Sequence, residues 1–292
     1  MPAAKANAAR NARGAGAEDQ QPVPTARPRG SFCRPPPVKP QRRSPVLLRL
    51  FARYARWYVG RHFHRVRISR GAVPPDVGEE PLVVFVNHAA WWDPLICLLL
   101  DQQFFPRRES SAPIDARALN QYRFFERLGF FGVEQGTRRG AVTFLRTAEA
   151  LLSRPRATLW LTPQGRFADV RERPVRFAAG LGHLASRLPH AVYLPVAIEY
   201  PFWEESRPEA LVRFGQSLTL PPGIQPDEAS ARLESALAAA QDALAAESLS
   251  RRPELFTPLL EGGAGVGGIY DLWRRLRARL TGREFRPEHG TK

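Results

Sequence analysis

Asn87, His88 and Asp93 are the residues of this chain whose types and spacing could carry out chemistry most directly. They follow the apolar run Leu82–Val86, which predicts a buried strand, and Asp93 stands before Pro94, where a helix is expected to begin. A carboxylate five positions after a histidine can reach one imidazole nitrogen and leave the other nitrogen facing a substrate. An imidazole paired in this way accepts a proton near neutral pH. The segment therefore predicts a general base.

Each of these residues, taken alone, also has a purely structural interpretation. Asp93 before Pro94 could be the N-cap of a helix that has proline at its first position. His88 could be a hydrogen-bonded histidine at a strand end, and Trp91 and Trp92 could pack in the core or against an acyl chain. No Gly-x-Ser-x-Gly elbow occurs, which argues against a covalent serine hydrolase.

The segment from Asn87 to Asp93 resembles the Asn-His-x4-Asp signature of the glycerolipid acyltransferases, the family that includes 1-acylglycerol-3-phosphate acyltransferase. The resemblance implies that His88 removes the proton of an acceptor hydroxyl, that Asp93 orients the imidazole, and that the hydroxyl attacks an acyl thioester. It implies a thioester donor, either acyl-CoA or acyl carrier protein, as co-substrate and a lysophospholipid or 1-acylglycerol-3-phosphate type of acceptor. Neither a cofactor nor a metal is expected.

Three later segments resemble further blocks of the same family in order and spacing. The segment Gly129–Gly136 resembles the second block, where the family usually has an arginine that helps to hold the phosphate of the acceptor. This chain has Gln135 at that place, and Arg138 and Arg139 could substitute or could simply be solvated residues at a helix start. The apolar strand with proline at Tyr193–Ile198 resembles the fourth block.

The segment Leu161–Arg166 resembles the third block, which is usually Phe-Pro-Glu-Gly-Thr-Arg. Gln164 replaces the glutamate, Gly165 allows a ligand to approach the backbone closely, and Arg166 could bind an anionic oxygen or be an ordinary surface arginine. Because Gln135 and Gln164 carry no charge, a lipid alcohol without phosphate, such as a glycosylated lipid, is an alternative acceptor.

The alternation of apolar and periodic segments predicts an α/β fold with a mixed central sheet flanked by helices. The predicted strands are His64–Ile68, Leu82–Asn87, Phe130–Glu134, Ala157–Leu161, Val192–Ile198 and Leu211–Phe214. The predicted helices are 46–61, Pro94–Gln103, Ala118–Leu128, Arg139–Ser153, Val175–Ser186 and Pro226–Ala246.

The domain organisation is predicted from composition. Residues 1–45 contain nine of the 43 Lys and Arg residues, lack apolar periodicity and are expected to be a disordered basic arm. Residues 46–250 are expected to form the acyltransferase domain, and 251–292 a linker with an amphipathic helix at Ile269–Leu280. The helix at 46–61 combines an apolar, aromatic face with arginines, which is typical either of a helix at an anionic membrane surface or of a core-packing helix with a solvated basic face.

The net charge of +15 over 292 residues leaves two other function classes open. A nucleic-acid-binding protein would use such a charge, but no nucleic-acid-binding module is visible and nucleic acid is not expected as a partner. A noncatalytic lipid-binding or scaffold protein is the second alternative. Since no signal peptide or membrane span is evident, we expect a peripheral protein on the cytoplasmic face of an anionic membrane.

Overall fold

Apolar segments between residues 65 and 261 pair into one eight-stranded sheet in the computed structural model, which describes residues 43–263. The strands are β1 (Arg65–Ser69), β2 (Leu82–Val86), β3 (Glu109–Asp115), β4 (Phe130–Val133), β5 (Ala157–Leu161), β6 (Val192–Glu199), β7 (Glu209–Phe214) and β8 (Phe256–Glu261). The helices are α1 (Pro45–His62), α2 (Asp93–Phe104), α3 (Ala116–Gln121), α4 (Arg138–Leu152), α5 (Gly180–Arg187) and α6 (Pro226–Ser250). The predicted α/β fold with a mixed sheet is confirmed.

The strand order β4-β3-β5-β2-β6-β7-β1-β8 determines which chain segments meet at the carboxyl edge of β2. Strands β2 to β6 are parallel to one another, whereas β7 is antiparallel to β6 and runs parallel to β1. β2 therefore lies between β5 and β6, with Phe85 opposite Leu161 and Val86 opposite Val196. Residues that directly follow these three strands are brought together, although they are far apart in sequence.

The sheet is covered by helices on both faces, and β2 is buried from both sides. Leu82, Val84 and Val86 belong to the core that packs under α1 and α2, whereas Val83 and Phe85 belong to the core under α4, α5 and α6. Continuous apolar sequence is typical of a parallel strand with two covered faces. This packing makes the end of β2 a rigid support for the residues that follow it.

Helix α1 presents apolar side chains on two faces. It begins after Ser44, whose hydroxyl accepts a hydrogen bond from the Leu47 backbone N–H (3.3 Å). Ala55 and Val59 are buried in the core. The opposite stripe is exposed and contains Val46, Leu50, Tyr54 and Trp57. Within residues 43–263, no helix has the length and apolarity needed to cross a membrane.

Two strands were missed by the sequence prediction. β3 has the polar sequence Glu109–Asp115, and it is held in the sheet by pairing with β4 and β5 rather than by an apolar pattern of its own. β8 is an edge strand that contains Pro258 and pairs antiparallel with β1. It continues the sheet beyond residue 250, where we placed the end of the α/β domain. Both strands depend on pairing with strands that are distant in sequence, and the hydrophobic periodicity of a segment does not reveal such pairing.

Two predicted helices differ from the observed ones. The helix expected at Ala118–Leu128 is divided, because α3 ends at Gln121 and a 3₁₀ helix, Arg123–Leu128, follows. The helix expected from Val175 begins only at Gly180, because earlier backbone N–H groups bond elsewhere: that of Phe177 donates to Glu234 (2.8 Å) and that of Ala178 to the Pro163 carbonyl (2.8 Å).

The remaining sequence predictions concern residues that the structure does not describe. The predicted basic arm lies outside the described residues except for its last three positions, 43–45. The predicted amphipathic segment Ile269–Leu280 also lies outside them.

Candidate active site

Asn87 fixes the chain where it leaves β2. Its side chain is buried, and its Nδ2 donates to the Ile198 carbonyl (3.0 Å) while its Oδ1 accepts from the Ile198 N–H (2.8 Å). The amide thus continues the pairing of β2 with β6 by one residue, and it satisfies two buried backbone groups. The position of the next residue, His88, is set by this pair of bonds.

His88 and Asp93 are in direct contact, as their spacing predicted. The distance between His88 Nδ1 and Asp93 Oδ2 is 2.7 Å, and the Asp93 side chain is fully buried, whereas that of His88 is 20% exposed. A carboxylate at Nδ1 keeps the proton on that nitrogen and leaves Nε2 as the free acceptor. The arrangement can therefore take a proton at Nε2 and stabilise the imidazolium that results.

The Asp93 carboxylate accepts hydrogen bonds at both of its oxygens. Oδ2 accepts from the Ala90 backbone N–H (3.0 Å) as well as from His88, and Oδ1 accepts from the Tyr200 hydroxyl (2.6 Å). Asp93 is the first residue of α2, and the preceding residue, Trp92, makes no capping bond with its side chain. The alternative interpretation of Asp93 as a helix N-cap is therefore wrong, because its carboxylate is directed back to the preceding turn.

Burial keeps the other titratable groups beside Asp93 in their neutral forms. Desolvation, followed by the negative charge of Asp93, raises the pKa of the Tyr200 phenol well above its usual value. The same two causes raise the pKa of the Cys97 thiol, which lies on α2. A protonated phenol is a permanent hydrogen-bond donor, so the contact with Asp93 persists throughout the physiological pH range.

The loop after β5 encloses His88. The Gln164 side-chain Oε1 accepts from the His88 backbone N–H (2.9 Å), and the Ala168 N–H donates to the His88 carbonyl (2.8 Å). The Phe167 ring lies 4.2 Å from the imidazole ring, centroid to centroid. Gly165 turns the chain between these contacts with a φ of 67°, a conformation that favours glycine. The predicted third block thus positions the histidine backbone directly.

Arg166 is bonded to neighbouring residues of its own loop in the structure. It forms an exposed ion pair with Glu172 and donates to the Phe167 carbonyl (3.2 Å). An exposed pair of this kind contributes little to stability and can exchange partners. The predicted role of Arg166 in substrate binding stays a prediction, and it requires the side chain to leave Glu172.

Gln135, Arg138 and Arg139 lie at the carboxyl end of β4, on the same edge of the sheet as His88. All three are exposed. β4 is separated from β2 by β3 and β5, which corresponds to about 14 Å at the usual strand spacing. Arg117 follows β3 at the same edge and was not considered from the sequence, because β3 itself was not predicted.

Tyr200 and Phe167 are the other two site residues that the sequence analysis missed. Tyr200 directly follows β6, the strand formed by the fourth block, and Phe167 follows the third block. Both positions are at the carboxyl edge beside β2. In the sequence, the two residues are visible only as an aromatic residue shortly after each of two motif segments. Their place in the site can be inferred only when β5 and β6 are known to flank β2.

Comparison with known proteins gives a family match and a similar solved structure. A family model described as Acyltransferase matches residues 64–199, a range that contains both His88 and Asp93. A comparison with curated proteins finds no match. The crystal structure of the 1-acyl-sn-glycerophosphate (LPA) acyltransferase PlsC from Thermotoga maritima is similar, with a TM-score of 0.42 and 13% identity over 71% of this chain and 80% of that chain. The family match confirms, over residues 64–199, the resemblance to the acyltransferases that the motif indicated.

Proposed function

We propose that this enzyme transfers a fatty acyl group from a thioester donor, acyl-CoA or acyl carrier protein, to the hydroxyl of a lysophospholipid of the 1-acylglycerol-3-phosphate type. The observation that carries the proposal is the hydrogen bond between His88 Nδ1 and Asp93 Oδ2 at the carboxyl edge of the sheet (2.7 Å). It leaves Nε2 as the one imidazole nitrogen that can accept a proton from a substrate.

The reaction follows from this arrangement as a direct transfer. His88 Nε2 takes the proton of the acceptor hydroxyl while the hydroxyl oxygen attacks the thioester carbonyl carbon. The tetrahedral intermediate collapses with cleavage of the carbon–sulfur bond, and the imidazolium returns the proton to the departing thiolate. Asp93 stabilises the imidazolium between the two proton transfers. The products are a diacylated lipid and a free thiol, and the step requires no metal.

Gln164 is compatible with an anionic acceptor. Since its Oε1 accepts from the His88 N–H, the amide orientation is determined, and the other end of the group is an NH₂ donor. A glutamate in this position would carry a negative charge close to the site. The donor can therefore bind a phosphate oxygen, together with exposed Arg138 and Arg139 on α4.

A lipid alcohol without phosphate is the second candidate acceptor. Two observations favour it: Arg166 is engaged by Glu172, and Gln135 stands where the resemblance would place a phosphate-binding arginine. A glycosylated headgroup would use the amides as hydrogen-bond partners without needing a cation. A comparison of the two acceptor classes distinguishes the candidates.

An anionic membrane surface is the proposed partner of α1, on the cytoplasmic side. Leu50 and Trp57 on its exposed stripe are 62% and 59% exposed, and Arg53 and Arg56 lie between them. Apolar and aromatic side chains flanked by arginine suit the interface of an anionic bilayer. Tyr58, on the same helix, contacts Trp92 (5.5 Å between ring centroids), so α1 adjoins the turn that holds the site.

The activity is tested with purified protein, labelled acyl-CoA or acyl carrier protein, and a matched pair of acceptors, one with phosphate and one glycosylated. We expect labelled diacyl product from the phosphate-bearing acceptor. His88→Ala is expected to lower turnover by about 10²–10⁴-fold with an unchanged melting temperature. Turnover near that of the wild type would remove the proposed base. Lipid binding with no product in the wild-type protein would favour the noncatalytic alternative.

The membrane surface is tested by flotation with vesicles that contain anionic lipid. Leu50→Ser is expected to reduce the bound fraction, because it removes an apolar contact in the middle of the exposed stripe. Leu249→Ser is the matched control, since Leu249 is 84% exposed but lies on α6, which covers the other face of the sheet. Equal loss of binding in both variants would contradict the assignment of α1.

A further inference from the structure

Tyr200 completes a chain of three hydrogen-bonded groups at the site. It is the first residue after β6, and its hydroxyl donates to Asp93 Oδ1 (2.6 Å), while Asp93 Oδ2 accepts from His88 (2.7 Å). We infer that Tyr200 is a positioning residue that holds the Asp93 carboxylate in the orientation in which Oδ2 faces the imidazole. This inference rests on the proposed function, in which His88 is the base.

The carboxylate requires such a constraint because its own torsion is soft. Rotation about the last side-chain bond of an aspartate has broad minima, so burial alone does not select one orientation. In this structure Oδ2 is held by the Ala90 N–H and by His88, and Oδ1 is held on the other side by Tyr200. Donors on both sides define the plane of the carboxylate. Without Tyr200, the plane is determined by the two contacts at Oδ2 alone.

Tyr200 is itself fixed by the elements around it. Its ring packs against Phe63 (5.5 Å between centroids), which lies between α1 and β1. The next residue, Pro201, accepts through its carbonyl a hydrogen bond from the Glu209 N–H at the start of β7 (2.8 Å). The hydroxyl is thereby directed at Asp93 by residues that do not themselves contact the base.

The hydroxyl and the ring of Tyr200 have separable roles. A phenylalanine keeps the ring contact with Phe63 and removes only the donor to Asp93. The titratable groups that face the carboxylate are His88 from the end of β2, Cys97 from α2 and Tyr200 itself. Burial keeps the Cys97 thiol neutral by raising its pKa, so it does not take over the role of a charged partner.

The test is the pH profile of kcat and kcat/KM for Tyr200→Phe. We expect kcat to fall about tenfold with little change in KM, because the acceptor and donor sites are untouched. We also expect the acidic limb of the profile to move to higher pH. Loss of the hydroxyl destabilises the Asp93 charge more when the imidazole is neutral than when it is protonated, so protonation of His88 becomes more favourable.

Tyr193→Phe is the matched control. The Tyr193 hydroxyl is also part of the core and donates to the Leu188 carbonyl (2.9 Å), away from the site. Its loss removes a comparable hydrogen bond and should lower stability without moving the pH profile. A merely structural role for Tyr200 would make the two variants behave alike in both readouts, and that outcome would overturn the inference.

The outcome also separates this inference from the proposed function. If His88→Ala abolishes turnover while Tyr200→Phe keeps the wild-type profile and kcat, then only the positioning role of Tyr200 fails. If His88→Ala retains turnover, the proposed base fails, and with it the basis for a role of Tyr200. A shift of the acidic limb to lower pH in Tyr200→Phe would likewise overturn the inference.

Discussion

Replacement of Asp93 by asparagine removes the negative charge of the carboxylate and keeps the shape of the side chain. In the structure Oδ2 accepts from both the Ala90 N–H and His88. If the asparagine placed its NH₂ group at the Oδ2 position, that donor would face another donor, the Ala90 backbone N–H. The amide oxygen must therefore occupy the Oδ2 position, and the NH₂ group must face Tyr200, whose hydroxyl can rotate and accept. The proton remains on His88 Nδ1, and only the negative charge is lost.

The magnitude follows from the interaction between the carboxylate and the imidazolium that forms during the reaction. Two unit charges about 4 Å apart interact by about 4 kcal/mol at an effective dielectric constant of about 20. Complete loss of this interaction in the transition state corresponds to about 10³-fold in kcat. Since the proton is only partly transferred at the transition state, we expect Asp93→Asn to lower kcat between about 30-fold and about 10³-fold.

The direction in which the pH profile moves can also be predicted for the same variant. Without the carboxylate, protonation of His88 becomes less favourable, so the acidic limb of kcat/KM should move to lower pH. This is the opposite of the direction expected for Tyr200→Phe. Asp93→Ala is a poorer test, because it leaves the donors of Ala90 and Tyr200 without a partner, at about 1–3 kcal/mol each, and can unfold the protein.

The assay is acyl transfer from labelled thioester, measured between about pH 5 and about pH 9, with thermal unfolding as the control for folding. Asp93→Asn with kcat within about threefold of wild type would show that the charge of Asp93 is not used in the transition state. A loss well above about 10³-fold would exceed the whole charge interaction; it would show that the imidazole had changed its tautomer, and it would refute the argument from Ala90.

Three further outcomes are expected. Asn87→Ala should lower the free energy of unfolding by about 2–5 kcal/mol in urea titrations, because it leaves two buried backbone groups of β6 unpaired; a change below about 0.5 kcal/mol would contradict this. Phe167→Ala should raise thioester hydrolysis relative to transfer by about threefold or more, since the ring shields the imidazole of His88 from water, and an unchanged product ratio would argue against shielding. Deletion of residues 1–42, which spares Arg43, should change the melting temperature by less than about 2 °C in calorimetry; a larger fall would show that the arm is structural.

The contact between His88 and Asp93 was predictable because it is local. Both residues belong to one strand–turn–helix segment, and a separation of five residues across such a turn allows few backbone conformations. The apolar run of β2 and Pro94 at the start of α2 are visible in the sequence without any knowledge of the rest of the fold. The predicted contact therefore required no tertiary information.

Gln164 shows where a motif resemblance is incomplete. From the sequence it was a candidate for binding the acceptor, because it stands where the family usually has glutamate. The structure adds a bond from the His88 N–H to Gln164 Oε1, which makes the same side chain a support for the base. This second role could not be predicted, because β5 and β2 are separated by more than 70 residues and become neighbours only in the folded sheet.

The sequence by itself determined the α/β class, the position of the imidazole at the end of a buried strand, and its carboxylate partner, because periodicity and local spacing encode all three. The tertiary structure decided what surrounds that pair. The placement of β2 between β5 and β6 brings Phe167 and Tyr200 to the site from positions 79 and 112 residues after His88. Such contacts depend on strand order, and strand order results from the packing of the whole sheet, which no local pattern contains.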